Sequence, residues 1–334
     1  MILVTGATGL LGAHLLLELA SAGKEVKALH RKNSSLKLVQ QVFERAGTTD
    51  LLKQIQWVEG DVTEVFSVQE AMHGIELVYH CAGKVSFQKG EDAELFRINT
   101  EGTANVVNEA LLAGVKKLCH VSSIATLGRT DGDAFVDEET HWHNSSDNTA
   151  YAISKYSGER EVWRGIAEGL SAVIVNPSVI IGAGDWEQSS AKLFSTVDKG
   201  LKYYTNGVNG FVDVRDVARC MIALTESDTV NERFILNSEN LSYRELFDIM
   251  ADALGKPRAR IHVGVVLSEI AWRLEAFKSF FTGTSSVITR ETAKTANSKF
   301  FYKNDKIRGR LSFSFMPIKR SIQDAALHYK KEKR

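Results

Sequence analysis

Met-Ile-Leu-Val-Thr-Gly-Ala-Thr-Gly-Leu-Leu-Gly-Ala, residues 1–13, is the stretch from which the rest of this chain is read. Ile2 to Val4 form a short apolar run that reads as a buried strand. Gly6, Gly9 and Gly12 follow at three-residue spacing, and residues 13–20 read as an apolar helix. Glycines serve such a turn in different ways. One takes a backbone angle closed to side chains, one lets main-chain N–H groups approach a ligand, and one lets the helix pack tightly on the strand. The helix then directs its positive end at whatever lies over the turn, a place that favours phosphate. Its position between a strand and a helix separates this turn from an ordinary glycine turn. Thr8, Leu10 and Leu11 share the turn and join the three glycines as candidate cofactor contacts.

Outward from this turn, strands and helices alternate. Residues 25–29, 56–59, 75–81, 117–121 and 171–175 read as strands, and 35–46, 91–112 and 150–167 as helices. Most of these strands are apolar nearly throughout, which indicates a parallel sheet covered on both faces. Right-handed crossovers then give a doubly wound α/β sheet with its ligand at the carboxyl ends of the strands. Beyond Pro177 the pattern loosens. Residues 182–209 read as loops over the sheet, and 211–214 and 233–236 as returns to it, with a helix over 216–225 between them. Ser242 and Glu245 form a capping box for a helix that Gly255 and Pro257 stop. Residues 265–281 carry one apolar face broken by Glu269, Arg273, Glu275 and Lys278, and read as packing on the substrate side rather than as membrane contact. The expected division is a dinucleotide domain over 1–177, with sheet returns at about 211–237, and a smaller, mostly helical substrate lobe over 178–210 and 238–334.

Bulk properties narrow the function classes. A chain of 334 residues buries a large core and suits one large domain or two intimate ones. Its 41 basic and 41 acidic residues cancel, so no global field draws it to nucleic acid. Cys81, Cys119 and Cys220 show no paired spacing and read as reduced thiols. The histidines show no ligand spacing, so no metal is expected. The first residues lack the positive region of a secretion signal and read as mature fold. No apolar run reaches membrane-spanning length, and a cytoplasmic location is expected.

Tyr151 and Lys155, in Tyr-Ala-Ile-Ser-Lys, stand four residues apart at the start of a helix and so share one face. A phenol with a pKa of about 10 is a poor base at neutral pH, and a nearby ammonium is expected to lower it. Ser122 and Ser123 directly follow the strand that ends at Val121, where a parallel sheet places its site. A serine hydroxyl there holds the carbonyl or alcohol oxygen that Tyr151 protonates or deprotonates.

Three motifs occur in order: Gly-Ala-Thr-Gly-Leu-Leu-Gly at 6–12, Ser-Ser-Ile-Ala-Thr-Leu-Gly at 122–128 and Tyr-Ala-Ile-Ser-Lys at 151–155. Together they resemble the short-chain dehydrogenase/reductase superfamily, in its extended, epimerase/dehydratase-like branch, over about residues 1–240. The resemblance implies a Rossmann-type fold, Tyr151 as general acid/base, Lys155 on the nicotinamide ribose and Ser123 as the substrate-orienting serine. Ser123 is selected over Ser122 by its spacing to Gly128, and Ser122 is left as a cofactor contact. The resemblance also implies that Asp61 and Val62 meet the adenine, that Ala82 and Gly83 let backbone approach the cofactor, and that Asn176, Pro177, Ser178 and Val179 lie near the nicotinamide. Asn99 resembles the family's helix asparagine, with a structural or a site role left open. Phe211-Val-Asp-Val-Arg-Asp-Val matches a signature read as architectural.

The end of the second strand bears on the cofactor. NAD-users commonly place a carboxylate there for the ribose hydroxyls. Here the run is Leu29-His30-Arg31-Lys32-Asn33, with no acid in reach along the chain. Arg31 and Lys32 suit a 2′-phosphate, so NADP(H) is expected over NAD(H). Where dehydratases of the branch carry Thr-Asp-Glu, this chain has Ser123-Ile124-Ala125, and residues 176–182 resemble the dihydroflavonol reductase and cinnamoyl-CoA reductase group. The leading expectation is an oxidoreductase acting on a small-molecule carbonyl or alcohol. An NDP-sugar epimerase and a non-catalytic dinucleotide sensor are the alternatives. Trp186, Phe194, Tyr203, Tyr204 and Trp272 line a pocket or pack a core, and a homodimer through helices 91–112 and 150–167 is left open.

Overall fold

The computed structural model describes residues 1–88, 90–129, 134–146, 148–265 and 295–333. Its centre is a seven-stranded parallel sheet. In chain order the strands are β1 (Ile2–Thr5), β2 (Val26–His30), β3 (Gln56–Glu59), β4 (Leu77–His80), β5 (Lys117–Val121), β7 (Ala172–Pro177) and β11 (Glu232–Leu236), after β6 (Phe135–Val136), β8 (Val179–Ile181), β9 (Tyr203–Tyr204) and β10 (Val208–Asp213) are counted in sequence. They lie side by side in the order β11-β7-β5-β4-β1-β2-β3. The order reverses between β1 and β4, so the loops after those strands part and leave a crevice at their carboxyl ends.

Both faces of the sheet are covered because both are apolar. All four residues of β1 are buried, and so is the whole of β7. On one face pack α1 (Leu10–Ser21), α2 (Lys37–Ala46) and α8 (Val214–Glu226), with Leu15, Leu16, Phe43, Val217 and Leu224 in one cluster. On the other pack α3 (Val65–Met72), α5 (Gly102–Leu112) and α6 (Ala150–Ala167), through Val68, Val106, Val107 and Val162. Two buried lysines reinforce this packing at helix ends. Lys27 donates to the carbonyls of Ala71 and His73, and Lys117 to those of Leu224 and Ser227. Each places a cation where a helix leaves its last carbonyls unpaired.

The helix expected over 91–112 is a composite. Asp92–Phe96 forms α4, Arg97–Glu101 makes a π turn, and α5 follows. The π turn carries Asn99, fully buried, against α6. Gly158 makes the close approach possible, since a Cβ there would sit 2.1 Å from the Asn99 carbonyl oxygen. Thr149 caps α6 by accepting from the Ala152 amide at 3.0 Å.

Phe211 and its neighbours do not rejoin the main sheet. β10 pairs in parallel with β8 and antiparallel with β12 (Glu239–Ser242), forming a separate three-stranded sheet. Residues 233–236 do return, as β11 beside β7. The reason is at the end of β7: Ser178 turns its amide to the Leu236 carbonyl at 3.0 Å, and the chain then leaves the sheet to start β8. The loop reading of 182–209 is likewise only partial, because α7 (Lys192–Asp198) lies within it. With α9 (Tyr243–Leu254), which has the expected capping box, and the last helices α10 (Asp305–Leu311) and α11 (Ile318–Lys333), α7 covers the small sheet over a second core around Phe194, Phe211, Met250 and Ile322. Short pairings of β9 with β13 (Ile261–His262) and of β6 with β14 (Phe301–Tyr302) tie the C-terminal third to the body.

Cys81, Cys119 and Cys220 are free thiols. Among the described residues no helix is long and apolar enough to cross a membrane. Apart from Val265, the segment read as a one-faced apolar helix over 265–281, Trp272 included, lies outside the described residues.

Replacing Gly158 by Ala is expected to cost about 1–3 kcal/mol of stability, because the intruding methyl meets backbone rather than a yielding side chain. Urea unfolding checks this: the midpoint should fall with the slope unchanged, and a midpoint equal to the wild type's would show that the α5–α6 contact gives way.

Candidate active site

The glycine turn builds a surface of bare backbone. Gly6 has φ of +64°, and a Cβ there would come within 2.5 Å of the Ala82 amide nitrogen. A Cβ on Gly12 would lie 2.2 Å from the Gly6 carbonyl oxygen, so the helix starts hard against the turn. Gly9 caps α1 and no side chain accepts from its first amides. The N–H groups of the turn that holds Leu10, Leu11 and Gly12 therefore await an acceptor from outside the chain. Thr8 is half-buried beside them, and Leu11 runs into the core. Leu10 packs toward Gly182 and Gly184, which follow β8.

At the far end of the crevice a cavity is lined by Arg31, Lys32, Asn33, Glu59, Gly60, Asp61 and Ser67. Here the structure corrects the sequence reading. Register pairing sets His30 opposite Glu59, so β3 brings a carboxylate to the cations that follow β2. Chain distance hid this acid, and strand pairing supplies it. Asp61 Oδ1 accepts from the amide and the hydroxyl of Thr63, both at 2.9 Å, which fixes the carboxylate at the cavity edge. Val62 is buried against the place where Gly102 begins α5, and its carbonyl accepts from Asn105 at 2.9 Å.

The third part of the site lies at the ends of β4, β5 and β7. Ser123, mostly buried, starts a 3-10 turn over Ile124–Thr126 and accepts from the Ala125 amide at 3.1 Å. Its side chain neighbours the Tyr151 phenol and acts on its titration. One turn along α6, Lys155 is buried and donates from Nζ to the Val121 carbonyl at 2.8 Å. Gly83 stands against it: a Cβ on Gly83 would be 3.7 Å from Nζ and 3.3 Å from Asn99 Oδ1. The sequence-predicted Ser123, Tyr151, Lys155, Ala82 and Gly83 are thus brought to the same strand ends as the glycine turn.

Burial sets the titration of these groups. It pushes the Tyr151 phenol above its ordinary value, and the neighbouring Ser123 side chain partly opposes this. The sequence reading expects the opposite direction, from an ammonium next to the phenol. In the folded protein that ammonium is directed to the Val121 carbonyl, and desolvation of the phenol dominates. Burial also lowers Lys155, to about 8, and the charge of Glu159 opposes this.

Asn99 has a structural role. Its Oδ1 accepts from the Lys84 amide at 2.7 Å, and its Nδ2 donates to the Lys84 carbonyl at 2.9 Å and to Ser154 Oγ at 3.0 Å. The π turn so pins the loop after β4, a common use of such turns near sites. That loop carries Phe87, whose ring meets Tyr151 edge-on at 5.6 Å. Ser122 is corrected as well. Its hydroxyl donates to Glu159 Oε2 at 2.5 Å and so faces the core rather than a cofactor. Asn176 likewise turns inward, donating to the Ser123 carbonyl at 3.1 Å and to Glu159 at 2.9 Å. Pro177 ends β7 and Val179 opens β8, where the chain passes to the small sheet.

Sequence reasoning missed Glu159, Phe87 and Glu59. Glu159 had a readable signal, four residues beyond Lys155 and eight beyond Tyr151 on the same face. Of the aromatic residues considered for a pocket, Trp186 and Phe194 pack in the second core, while Tyr204 lies under Arg244 at 4.8 Å and Tyr203 is exposed.

The bare glycine turn, the uncapped helix and the cation-lined cavity fit a dinucleotide laid along the strand ends. The family model of the NAD dependent epimerase/dehydratase family matches residues 2–237. A putative dihydroflavonol 4-reductase of Synechocystis is 28% identical over 333 residues, covering 96% of this chain and 92% of the relative. The sterol demethylase protein B of Methylococcus capsulatus is 29% identical over 265 residues, covering 78% and 76%. Tetraketide alpha-pyrone reductase 2 of Arabidopsis thaliana is 30% identical over 263 residues, covering 74% and 81%. Among solved structures, gox2253 superimposes with a TM-score of 0.82 at 26% identity, covering 99% of this chain and 98% of that one. The UDP-glucose 4-epimerase of Thermotoga maritima reaches 0.79 at 18% identity over 100% and 99%, a likeness of fold. The chain belongs to the NAD-dependent epimerase/dehydratase family, the extended branch of the short-chain dehydrogenases/reductases, and is an enzyme of that family.

Proposed function

We propose that this enzyme is an NADP(H)-dependent oxidoreductase that reduces a small-molecule carbonyl to an alcohol, or runs the reverse oxidation. The observation that carries the reading is the convergence of Ser123, the buried Tyr151 phenol and Lys155, which donates to the Val121 carbonyl, at the strand ends where the glycine turn opens. A nicotinamide bound there supplies the hydride. The chain's own residues hold the cofactor and manage the substrate oxygen and its proton. Backbone amides of Leu10, Leu11 and Gly12 would hold the pyrophosphate, Asp61 and Val62 the adenine end, and Lys155 the nicotinamide ribose. Arg31 and Lys32 would hold a 2′-phosphate, and the choice of cofactor is a contest between these two cations and the carboxylates Glu59 and Asp61 on the same cavity wall.

Ser123 donates to the substrate oxygen and Tyr151 gives it the phenolic proton. Because burial raises Tyr151, the phenol is the resting form across neutral pH, which suits an acid. Lys155 is an ammonium below its lowered value of about 8 and opposes the negative charge left on the tyrosine oxygen. Ile124 and Ala125 place no carboxylate in the turn beside Ser123, which supports reduction over elimination of water. The reductase names among the relatives support the same reading.

Tyr151→Phe is expected to lower turnover on the order of 10²- to 10⁴-fold while changing NADPH affinity less than about threefold. Stopped-flow loss of nicotinamide absorbance and fluorescence titration measure the two; retained turnover removes the phenol from the role of acid. For wild type, the rate of reduction should hold steady below pH about 8 and fall above it, as Lys155 loses its proton. Arg31→Ala should weaken NADPH by about 10- to 100-fold and NADH by less than about twofold. Equal losses for both cofactors would count against the 2′-phosphate contact.

A further inference from the structure

Glu159 is 2% exposed, yet five donors converge on its carboxylate. Its Oε2 accepts from Ser122 Oγ at 2.5 Å, Thr126 Oγ1 at 2.7 Å and Asn176 Nδ2 at 2.9 Å. Its Oε1 accepts from Arg233 Nη1 at 3.2 Å and Trp163 Nε1 at 3.3 Å. The donors come from the turn after β5, from β7, from β11 and from α6 itself. Three of them bracket Ser123. Ser122 precedes it, Thr126 ends its 3-10 turn, and Asn176 also donates to the Ser123 carbonyl at 3.1 Å. The single proton of Thr126 has two acceptors, the carboxylate and the Ser123 carbonyl at 2.9 Å, and the charged oxygen is the stronger. The turn is therefore hung from Glu159.

Glu159 also lies one helical turn past Lys155, and its charge raises the ammonium's pKa against desolvation. The other groups facing Lys155 are the Cys81 thiol, which burial keeps protonated, and the buried rings of His80 and His120, which Lys155 itself helps to keep uncharged. Arg233, from β11, faces Glu159 from its far side.

We propose that Glu159 is a positioning residue for both halves of the site. Through Ser122, Thr126 and Asn176 it sets the turn that carries Ser123, and one helical turn along α6 it places a carboxylate beside Lys155. The kinetic part of this inference rests on the oxidoreductase reading, whereas the binding part needs only that the protein holds the dinucleotide.

The test compares wild type, Glu159→Gln and Glu159→Asp for NADPH binding by fluorescence and for carbonyl reduction, each across pH. Glu159→Gln should move the alkaline limb of both profiles down by about one pH unit. It should also lower kcat about tenfold or more, with KM changed less than about threefold, as the serine turn loosens. Glu159→Asp keeps the charge, so its limb should stay at the wild-type pH while kcat falls. An unmoved limb in Glu159→Gln, or the same shift in Glu159→Asp, overturns the proposal. Should Glu159→Gln not fold, Thr126→Val serves instead: it spares the carboxylate and should lower kcat with the limb in place, and a moved limb again overturns the proposal. A shifted binding limb in a protein that reduces no carbonyl supports the positioning role and sinks the reductase reading; reduction with an unmoved limb does the reverse.

Discussion

Backbone contact between two helices sets the depth of the whole site. At Gly158, α6 lies so close to the π turn before α5 that a single methyl would strike the Asn99 carbonyl. That approach lowers α6 onto the carboxyl ends of β4 and β5, where Lys155 reaches the Val121 carbonyl. Because Tyr151, Lys155 and Glu159 recur every four residues, one helix at one depth delivers a phenol, an ammonium and a carboxylate to successive levels of the same strand ends. The partner helix uses the same contact in the other direction. Its π turn buries Asn99, which in turn holds the loop that carries Gly83, Lys84 and Phe87.

Desolvation then tunes what the helix delivers. A phenol driven up and an ammonium brought down to about 8 leave a protonated acid beside a cation at neutral pH. Burial alone would go on to discharge the lysine, and Glu159 is the nearby charge that opposes it. The same carboxylate is tolerated in the core because five donors meet it. Structural and chemical demands are thus met by one buried group, at a place where an apolar residue would take from Ser122, Thr126 and Asn176 the charged acceptor they share.

The two parts of the molecule are built differently. Residues up to β7 mostly follow one rule, strand then helix, with the inner strands β1, β4 and β5 largely buried on both faces. After β7 the chain alternates between the large sheet, which it rejoins at β11, and the small sheet of β8, β10 and β12. The family match ends at residue 237, one residue past β11. Leu246, Met250, Ile318 and Ile322 lie beyond it and close the second core.

Much of the fold was legible in the sequence because local rules and global packing agree there. The glycine turn, five of the strands and helix 150–167 were marked by continuous apolar runs and by glycines that no other residue replaces. Tyr151 and Lys155 were legible because their spacing is short and a helix converts short spacing directly into a shared face, and Ser123 because it follows the strand that ends at Val121. The features that stayed open in the sequence depend on pairing between distant residues. Glu59 reached the cations of Arg31 and Lys32 only through the register of β3 on β2. Ser122 turned from the cofactor side to the core because Glu159, thirty-seven residues on, accepts its proton there. The direction of the Tyr151 shift came from burial, a property of the assembled core that no spacing encodes. Local order determined which groups the chain offers; only the packed structure decided which way they face and how they hold a proton.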